Sequence, residues 1–380
     1  MLWLILGSLL PAAVISWAAA WLVRRVGPRW GLIDRPGFRK IHSTPMPTGG
    51  GLAIWLGIVV PFALGQAVLW GLMMHHGPAG TSWLPAFVAP HLGGLWQQSG
   101  RLWIILAGGS VLVALGLVDD LRGLGWKFRL AVHTAVALGM VCLGWRVTLP
   151  VNLPLVAGGL SVVWIVGLIN SFNMLDNMDG LSAGVAAIAA AMLAVVMLLA
   201  PSPATNQPQL FIGGFFLVLV GSLLGFLWHN RPPARLFMGD TGSYLIGFLL
   251  AIGTLMGTFA GGSVPRHAIL APLCVLAVPL YDTISVVLIR VRAGRSPFVG
   301  DKSHFSHRLF ELGMSKTQAV LTIYLATATC GLGAFLLHEV DTTGACLIVL
   351  LVTAVLVLIS ILESAGRRRR GEPPRPGDRP

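Results

Sequence analysis

Charge is what this sequence has least of. Only 11% of its 380 residues are charged, against about 25% in an ordinary soluble domain. With 55% hydrophobic residues, a water-soluble chain of this size could not cover its own surface, which excludes a soluble globular enzyme. The same apolar content excludes intrinsic disorder, which needs a chain poor in apolar residues. Cysteine is scarce too: Cys142, Cys274, Cys330 and Cys346 all fall inside apolar stretches. None has metal-ligand spacing or a place where a disulfide framework would serve, so they read as small hydrophobes. Also missing are an internal repeat and a matched pair of interrupted helices in two halves. That speaks against a typical secondary transporter, whose site lies at the bilayer midplane.

What the sequence does have is length of apolar run. Its mean hydropathy is +0.80, and a membrane helix needs roughly 20 mostly apolar residues. Eleven stretches qualify, near 2–23, 49–73, 102–118, 128–146, 155–172, 182–200, 211–228, 241–261, 268–289, 319–338 and 344–363. The expected fold is therefore all-α, a polytopic membrane helix bundle of about eleven transmembrane helices. Residues 1–363 form one membrane-embedded domain, and 364–380 a basic tail expected to be disordered. The first stretch is long for a signal-peptide core, and Arg24 and Arg25 follow it rather than precede it. It reads as a retained helix with its N-terminus outside.

The net charge of +12 would suggest nucleic acid in a soluble protein, but here it is first a topology signal. With the N-terminus outside, the inside segments carry 23 of the 26 Lys and Arg residues; only Arg101, Arg146 and Arg266 lie outside. The C-terminus is then cytoplasmic. The run Arg367–Arg370 anchors the last helix against anionic lipid rather than binding nucleic acid.

The fourteen carboxylates are distributed less innocently. Asp34, Asp119, Asp120, Asp176, Asp179, Asp240, Asp301 and Glu311 all fall at or beside the inside ends of helices. Acids contribute little to membrane orientation, and ionisable residues at a membrane helix end are functional candidates by default. Asp282 alone lies well inside a helix; it reads mainly as a bundle pair, with a proton or ion site as the alternative.

Five motifs carry the chemistry. Asp119-Asp120, followed by Lys127 and Arg129, sets two carboxylates side by side, where they repel unless a cation neutralises them. Asn170, Asn173, Asp176 and Asp179 recur every three residues, close to one face of a helical or 3₁₀ turn, and offer the oxygen ligands a hard cation prefers. Asp240 precedes Thr241-Gly242-Ser243 at a helix start, where small residues let backbone N–H groups approach an anion; an N-cap role for Asp240 is the plainer alternative. Asp301-Lys302-Ser303-His304-Phe305-Ser306-His307-Arg308 sets two imidazoles and an arginine in one inside loop. No further ligand completes a zinc site there, so phosphate contact fits better. Arg39-Lys40-Ile41-His42 leads into Gly49-Gly50-Gly51 and reads as a phosphate-binding loop, although it is not a Walker A sequence.

In this order and on one membrane face, these motifs resemble the polyprenyl-phosphate N-acetylhexosamine-1-phosphate transferases. These are glycosyltransferase family 4, and the likeness is to the WecA/TagO-like branch, related to MraY. The resemblance covers residues 31–318. Eleven helices and an inside C-terminus match that branch, whereas MraY has ten. The chain departs from the pattern twice: Asn177 follows Asp176 where the family often has glycine, and Ser306 stands where it often has the middle histidine of His-x-His-His.

The resemblance implies an enzyme of a bacterial cytoplasmic (inner) membrane, with UDP-N-acetylhexosamine and undecaprenyl phosphate as substrates and membrane lipid as its surroundings. It implies Mg²⁺, with Mn²⁺ as a substitute, and the homodimers common in the family. Asn173 and Asp240 would hold the metal. Asp119, Asp120, Asp176, Asp179 and Asp240 would form the catalytic set. Lys40, His42, Lys127, Asn170, His304, His307 and Arg308 would hold phosphates or substrate. The lipid phosphate would attack the β-phosphorus of the UDP-sugar, most simply UDP-GlcNAc, and UMP would leave. The product would be the first lipid-linked intermediate of a cell-envelope polysaccharide, such as the O-antigen of lipopolysaccharide or teichoic acid. The lipid phosphate has a second pKa near 6, so direct attack is expected; a covalent aspartyl intermediate is the alternative. A flippase or transporter of lipid-linked or anionic substrates, and an inactive scaffold, are the other readings of the same composition.

Overall fold

The computed structural model describes residues 1–35, 44–75, 91–148, 153–200, 207–257, 259, 265–301 and 303–369. Thirteen helices run through the described residues: α1 (Leu2–Val26), α2 (Gly51–His75), α3 (Leu92–Arg122), α4 (Trp126–Cys142), α5 (Pro154–Leu175), α6 (Leu181–Leu199), α7 (Leu210–Asn230), α8 (Gly239–Met256), α9 (Ala271–Val275), α10 (Ala277–Arg292), α11 (Phe305–Glu311), α12 (Lys316–Leu336) and α13 (Thr342–Arg369). Two-residue strands, β1 (Ile33–Asp34) and β2 (Met46–Pro47), pair antiparallel before α2. The protein is an all-α, multi-pass membrane bundle.

Nine of these helices are long and apolar enough to cross a membrane, or ten if the bent pair counts as one span. The expected stretch that is not among them is the fourth, α4, whose 17 residues sit at the lower edge of a spanning length. The ninth stretch is broken: Arg266–Val275 and Ala277–Arg292 meet at 66°. Residues 36–43, which include Lys40 and His42, lie outside the described residues.

Helices α6, α7 and α8 form the buried centre, while α1 and α13 turn most of their side chains outward. Lipid tails give apolar helices no hydrophobic reason to associate, so close backbone approach must do it. Gly221 and Gly225 of α7 supply that approach. A Cβ on either would stand 2.2 Å from the Leu9 carbonyl oxygen or 2.1 Å from that of Ala13, so α1 lies directly on the α7 backbone. Around the other side of the core, α3 and α5 both pack on α8. That arrangement decides the site, because the ends of all three helices carry its acids.

Candidate active site

The first turn of α8 is the point of convergence. Asp120, on the last turn of α3, reaches across to it. Its Oδ1 accepts the Asp240 N–H at 2.9 Å, and its Oδ2 accepts the Thr241 N–H at 3.2 Å and the Thr241 hydroxyl at 2.6 Å. A helix N-terminus leaves N–H groups unpaired and favours an anion. Asp120 therefore caps α8 from another helix. Asp240 does not serve as the N-cap residue itself; Met238 holds that position, with no side-chain cap bond.

Asp240 is instead turned toward α5. Asn173 Nδ2 donates to Asp240 Oδ1 at 2.5 Å and to Ser243 Oγ at 3.1 Å. Asp119 is buried and saturated: it accepts the Leu124 N–H at 2.6 Å, Arg129 Nη1 at 3.0 Å and the Tyr244 hydroxyl at 2.7 Å. The same guanidinium nitrogen lies 3.9 Å from Asp240 Oδ2. Arg129 thus stands between two acids from different helices. Lys127, the expected cation, points elsewhere, with its ammonium 5.8 Å from the centre of the Trp126 ring.

Helix α5 ends at Leu175, so only Asn170 and Asn173 share its surface; Asp176 and Asp179 stand in the loop before α6. The three-residue spacing is a helix running out into a turn, not one continuous face. Burial, reinforced by the Asp120 and Asp179 carboxylates, pushes Asp176 up to about 8 despite a hydrogen bond from the Gly239 N–H. Asp179 accepts the Ala234 N–H at 3.0 Å. Gly180, with φ of +73°, passes its N–H to Asn230 Oδ1, and its carbonyl accepts from the Tyr324 hydroxyl. Asn170 contacts Val166 O and, at 3.4 Å, Nδ1 of His133.

A hydrogen bond ties the histidine segment to this loop. Ser306 Oγ donates to Asn177 Oδ1 at 2.5 Å. Asp282, the lone mid-helix acid, is a structural pair. It lies 3.0 Å from His304 Nδ1 and accepts the Phe305 N–H at 2.6 Å, fixing the start of α11. His304 and His307 are both mostly buried, their ring centres 6.2 Å apart. Arg308 is committed to the fold. Its guanidinium reaches Ser303 O, Ser285 Oγ and, at 2.9 Å, Glu363 Oε2 at the end of the last span.

The glycine run before α2 is not an open phosphate cradle. The Gly50 and Gly51 N–H groups donate to the carbonyls of Phe237 and Met238, at 2.9 and 3.0 Å. A Cβ on Gly51 would stand 2.1 Å from the Gly242 nitrogen. These glycines let α2 start against α8; their donors are spent on protein.

Three contributors lacked a strong signal in the sequence. Arg129 is only one of three cations, with Arg122 and Lys127, that follow the acid pair. Tyr244 and His133 are a tyrosine and a histidine inside apolar helices, packed edge-on with ring centres 4.6 Å apart. Among the described residues no three His, Cys, Asp or Glu side chains are set to hold a metal by themselves. The site that does form is a set of hard oxygen donors beside one arginine, suited to anions that bring a cation with them.

Comparison with known proteins identifies the family. Residues 102–258, from α3 to the end of α8, match the model of Glycosyl transferase family 4. A decaprenyl-phosphate N-acetylglucosaminephosphotransferase of Mycobacterium tuberculosis (strain ATCC 25618 / H37Rv) is 32% identical over 397 residues, covering 96% of this chain and 89% of its own. A Bacillus subtilis (strain 168) protein named a probable undecaprenyl-phosphate N-acetylglucosaminyl 1-phosphate transferase is 31% identical, covering 84% and 80%. The undecaprenyl-phosphate alpha-N-acetylglucosaminyl 1-phosphate transferase of Escherichia coli (strain K12) is 29% identical, covering 80% and 76%. The chain belongs to glycosyl transferase family 4, on its WecA/TagO-like side, and is a membrane-embedded transferase.

Proposed function

We propose that the chain transfers an N-acetylhexosamine 1-phosphate, GlcNAc-1-phosphate first among the candidates, from a UDP-sugar to undecaprenyl phosphate and releases UMP. We place the reaction at the cytoplasmic face of a bacterial inner membrane, with both termini disposed as the arginine distribution requires. The observation that carries the reading is the meeting of Asp119, Asp120, Asn173 and Asp240 with Arg129 at the start of α8. The relatives' names supply the prenyl-phosphate acceptor and the sugar-phosphate donor.

Two anions must meet, and phosphoryl transfer is largely positioning and charge neutralisation. Arg129 neutralises one charge beside the acids. A divalent cation would be held by Asp240 and Asn173 and would supply the remaining positive charge on the diphosphate. The donor set suits Mg²⁺, which binds through one or two carboxylates and completes its shell with water and substrate phosphates. Burial first, and the Asp120 and Asp179 carboxylates second, raise Asp176 to about 8, so a cation beside this loop would favour its ionised form. Asp119 has both its oxygens committed to three donors, which supports direct attack by the lipid phosphate over an aspartyl intermediate.

The test is UMP release by purified protein with undecaprenyl phosphate, Mg²⁺ and a panel of UDP-sugars. Release should require lipid and metal, stop with EDTA, and fall roughly 10²–10³-fold or more in Asp240→Asn, the scale of losing one preorganised charge-stabilising group. A folded wild type that releases no UMP from any sugar overturns the reading.

A further inference from the structure

The two positions at which this chain leaves its family's pattern touch each other. Ser306 is 1% exposed and stands in the first turn of α11; Asn177 stands in the acid loop, 129 residues away in sequence and one 2.5 Å hydrogen bond away in space. Both ends of that bond are anchored. On one side, Asp282 accepts the Phe305 N–H and pairs with His304, so the start of α11 cannot rotate freely. On the other, Asn177 Nδ2 donates to the Met174 carbonyl at 2.9 Å, on the last turn of α5. One residue back along that turn, Asn173 grips Asp240. Each functional group of the Asn177 amide thus has a distinct partner, and the hydroxyl is the only part of the Ser306 side chain that can donate.

We infer that Ser306 and Asn177 act together as a positioning pair, which holds His304 and His307, at the start of α11, against the Asp176–Asp179 loop so that both segments address one sugar-nucleotide diphosphate. This rests on the transferase reading above. The pair touches no substrate; it acts through His304 and His307 on one side and the acid loop on the other. Removing either partner alone would leave the other without it, a buried hydroxyl in one case and an amide oxygen in the other.

The experiment measures UMP release and KM for each substrate separately in Ser306→Ala, Asn177→Ala, the double variant and Ser306→Thr, together with thermal unfolding of each. Ser306→Ala and Asn177→Ala should each raise KM for the UDP-sugar roughly 3- to 10-fold, the range of one neutral hydrogen bond, with KM for undecaprenyl phosphate unchanged. The double variant should be no worse than either single one. Ser306→Thr keeps a hydroxyl donor and should stay within about twofold of wild type; it also decides the matter if the alanine variant does not fold. Additive losses, an unchanged donor KM, or equal rises in both KM values tracking lowered unfolding temperature would overturn the inference. Failure of the transferase reading is distinct: it appears as no UMP release by the wild type.

Discussion

Asp120 shows how one residue serves two ends. Its carboxylate occupies the N-terminus of α8 with three hydrogen bonds, and thereby orients the turn from which Asp240 projects. Asp240 has no such architectural duty. The two acids should therefore separate in stability. Asp120→Asn loses the charge that complements the helix end and part of the cap, and should lower stability by about 1–2 kcal/mol. Asp240→Asn should leave unfolding close to wild type while UMP release falls by roughly 10²–10³-fold or more. Thermal unfolding of the two variants in the same detergent checks this; an equal fall in both would mean that Asp120 has no special structural share. At this scale the acids were legible in the sequence, because eight carboxylates gathered at one set of helix ends are more than capping alone requires. Their partners were not. Tyr244 and His133 look like ordinary members of apolar helices until α3, α4 and α8 are assembled, and the bond from Tyr244 to Asp119 spans 125 positions.

Among elements, the segment between α10 and α11 has the clearest internal logic. Arg290 is 3% exposed and cannot be left unpaired. It reaches Asp301 with two nitrogens, at 3.0 and 3.3 Å, and the Pro297 carbonyl at 2.7 Å. Burial alone would raise the Asp301 carboxyl, but hydrogen bonds from Arg290 and from the Ser303 amide and hydroxyl outweigh it and hold the group below its ordinary value of 3.8. Because the folded value is depressed, the stabilisation is complete above that ordinary value. It is lost as pH falls through the still lower folded value. Hydrogen exchange across 294–301, corrected for intrinsic rates, should stay flat from about pH 5 to 8. Asp301→Asn should show accelerated exchange already at pH 7. A variant as protected as wild type would show that Arg290 needs no charged partner. The eleven apolar stretches were legible as elements, since length and hydropathy define a span. The bend at Leu276 was not, and neither was the short α11, because neither changes the apolar pattern around it. The start of α3 was misjudged for a related reason. Gln97, Gln98 and Arg101 end the apolar window near residue 102, yet the helix continues back to Leu92, since polar residues keep a helix going once it has left the hydrocarbon.

For the whole molecule, α3 is the ruler. Its 31 residues make a rod about 46 Å long at 1.5 Å per residue, longer than a hydrocarbon core of about 30 Å. Asp119 and Asp120 sit at its C-terminal end, so its N-terminal turns emerge on the opposite membrane face, with Gly94 about 39 Å along the axis from Asp120. The site end is also where Arg24, Arg25, Arg122, Arg290 and Arg292 close their helices. Cations gathered at one end of a bundle orient it with that end in the cytoplasm, where a sugar nucleotide is available to a membrane-bound acid cluster. We propose that orientation, and single cysteines can test it. Both Cys142 and Cys346 are exposed and must first be changed to serine. Among the described residues a Cβ at Gly94 meets nothing within 4 Å, which makes it a site for cysteine, and Ser296 lies exposed in the segment after α10. In intact cells a membrane-impermeant maleimide should label Gly94→Cys and spare Ser296→Cys; after permeabilisation it should label both. The opposite pattern would put the acids of α3, α5 and α8 on the outer face, away from cytoplasmic UDP-sugars, and the transfer reaction could then not run as proposed.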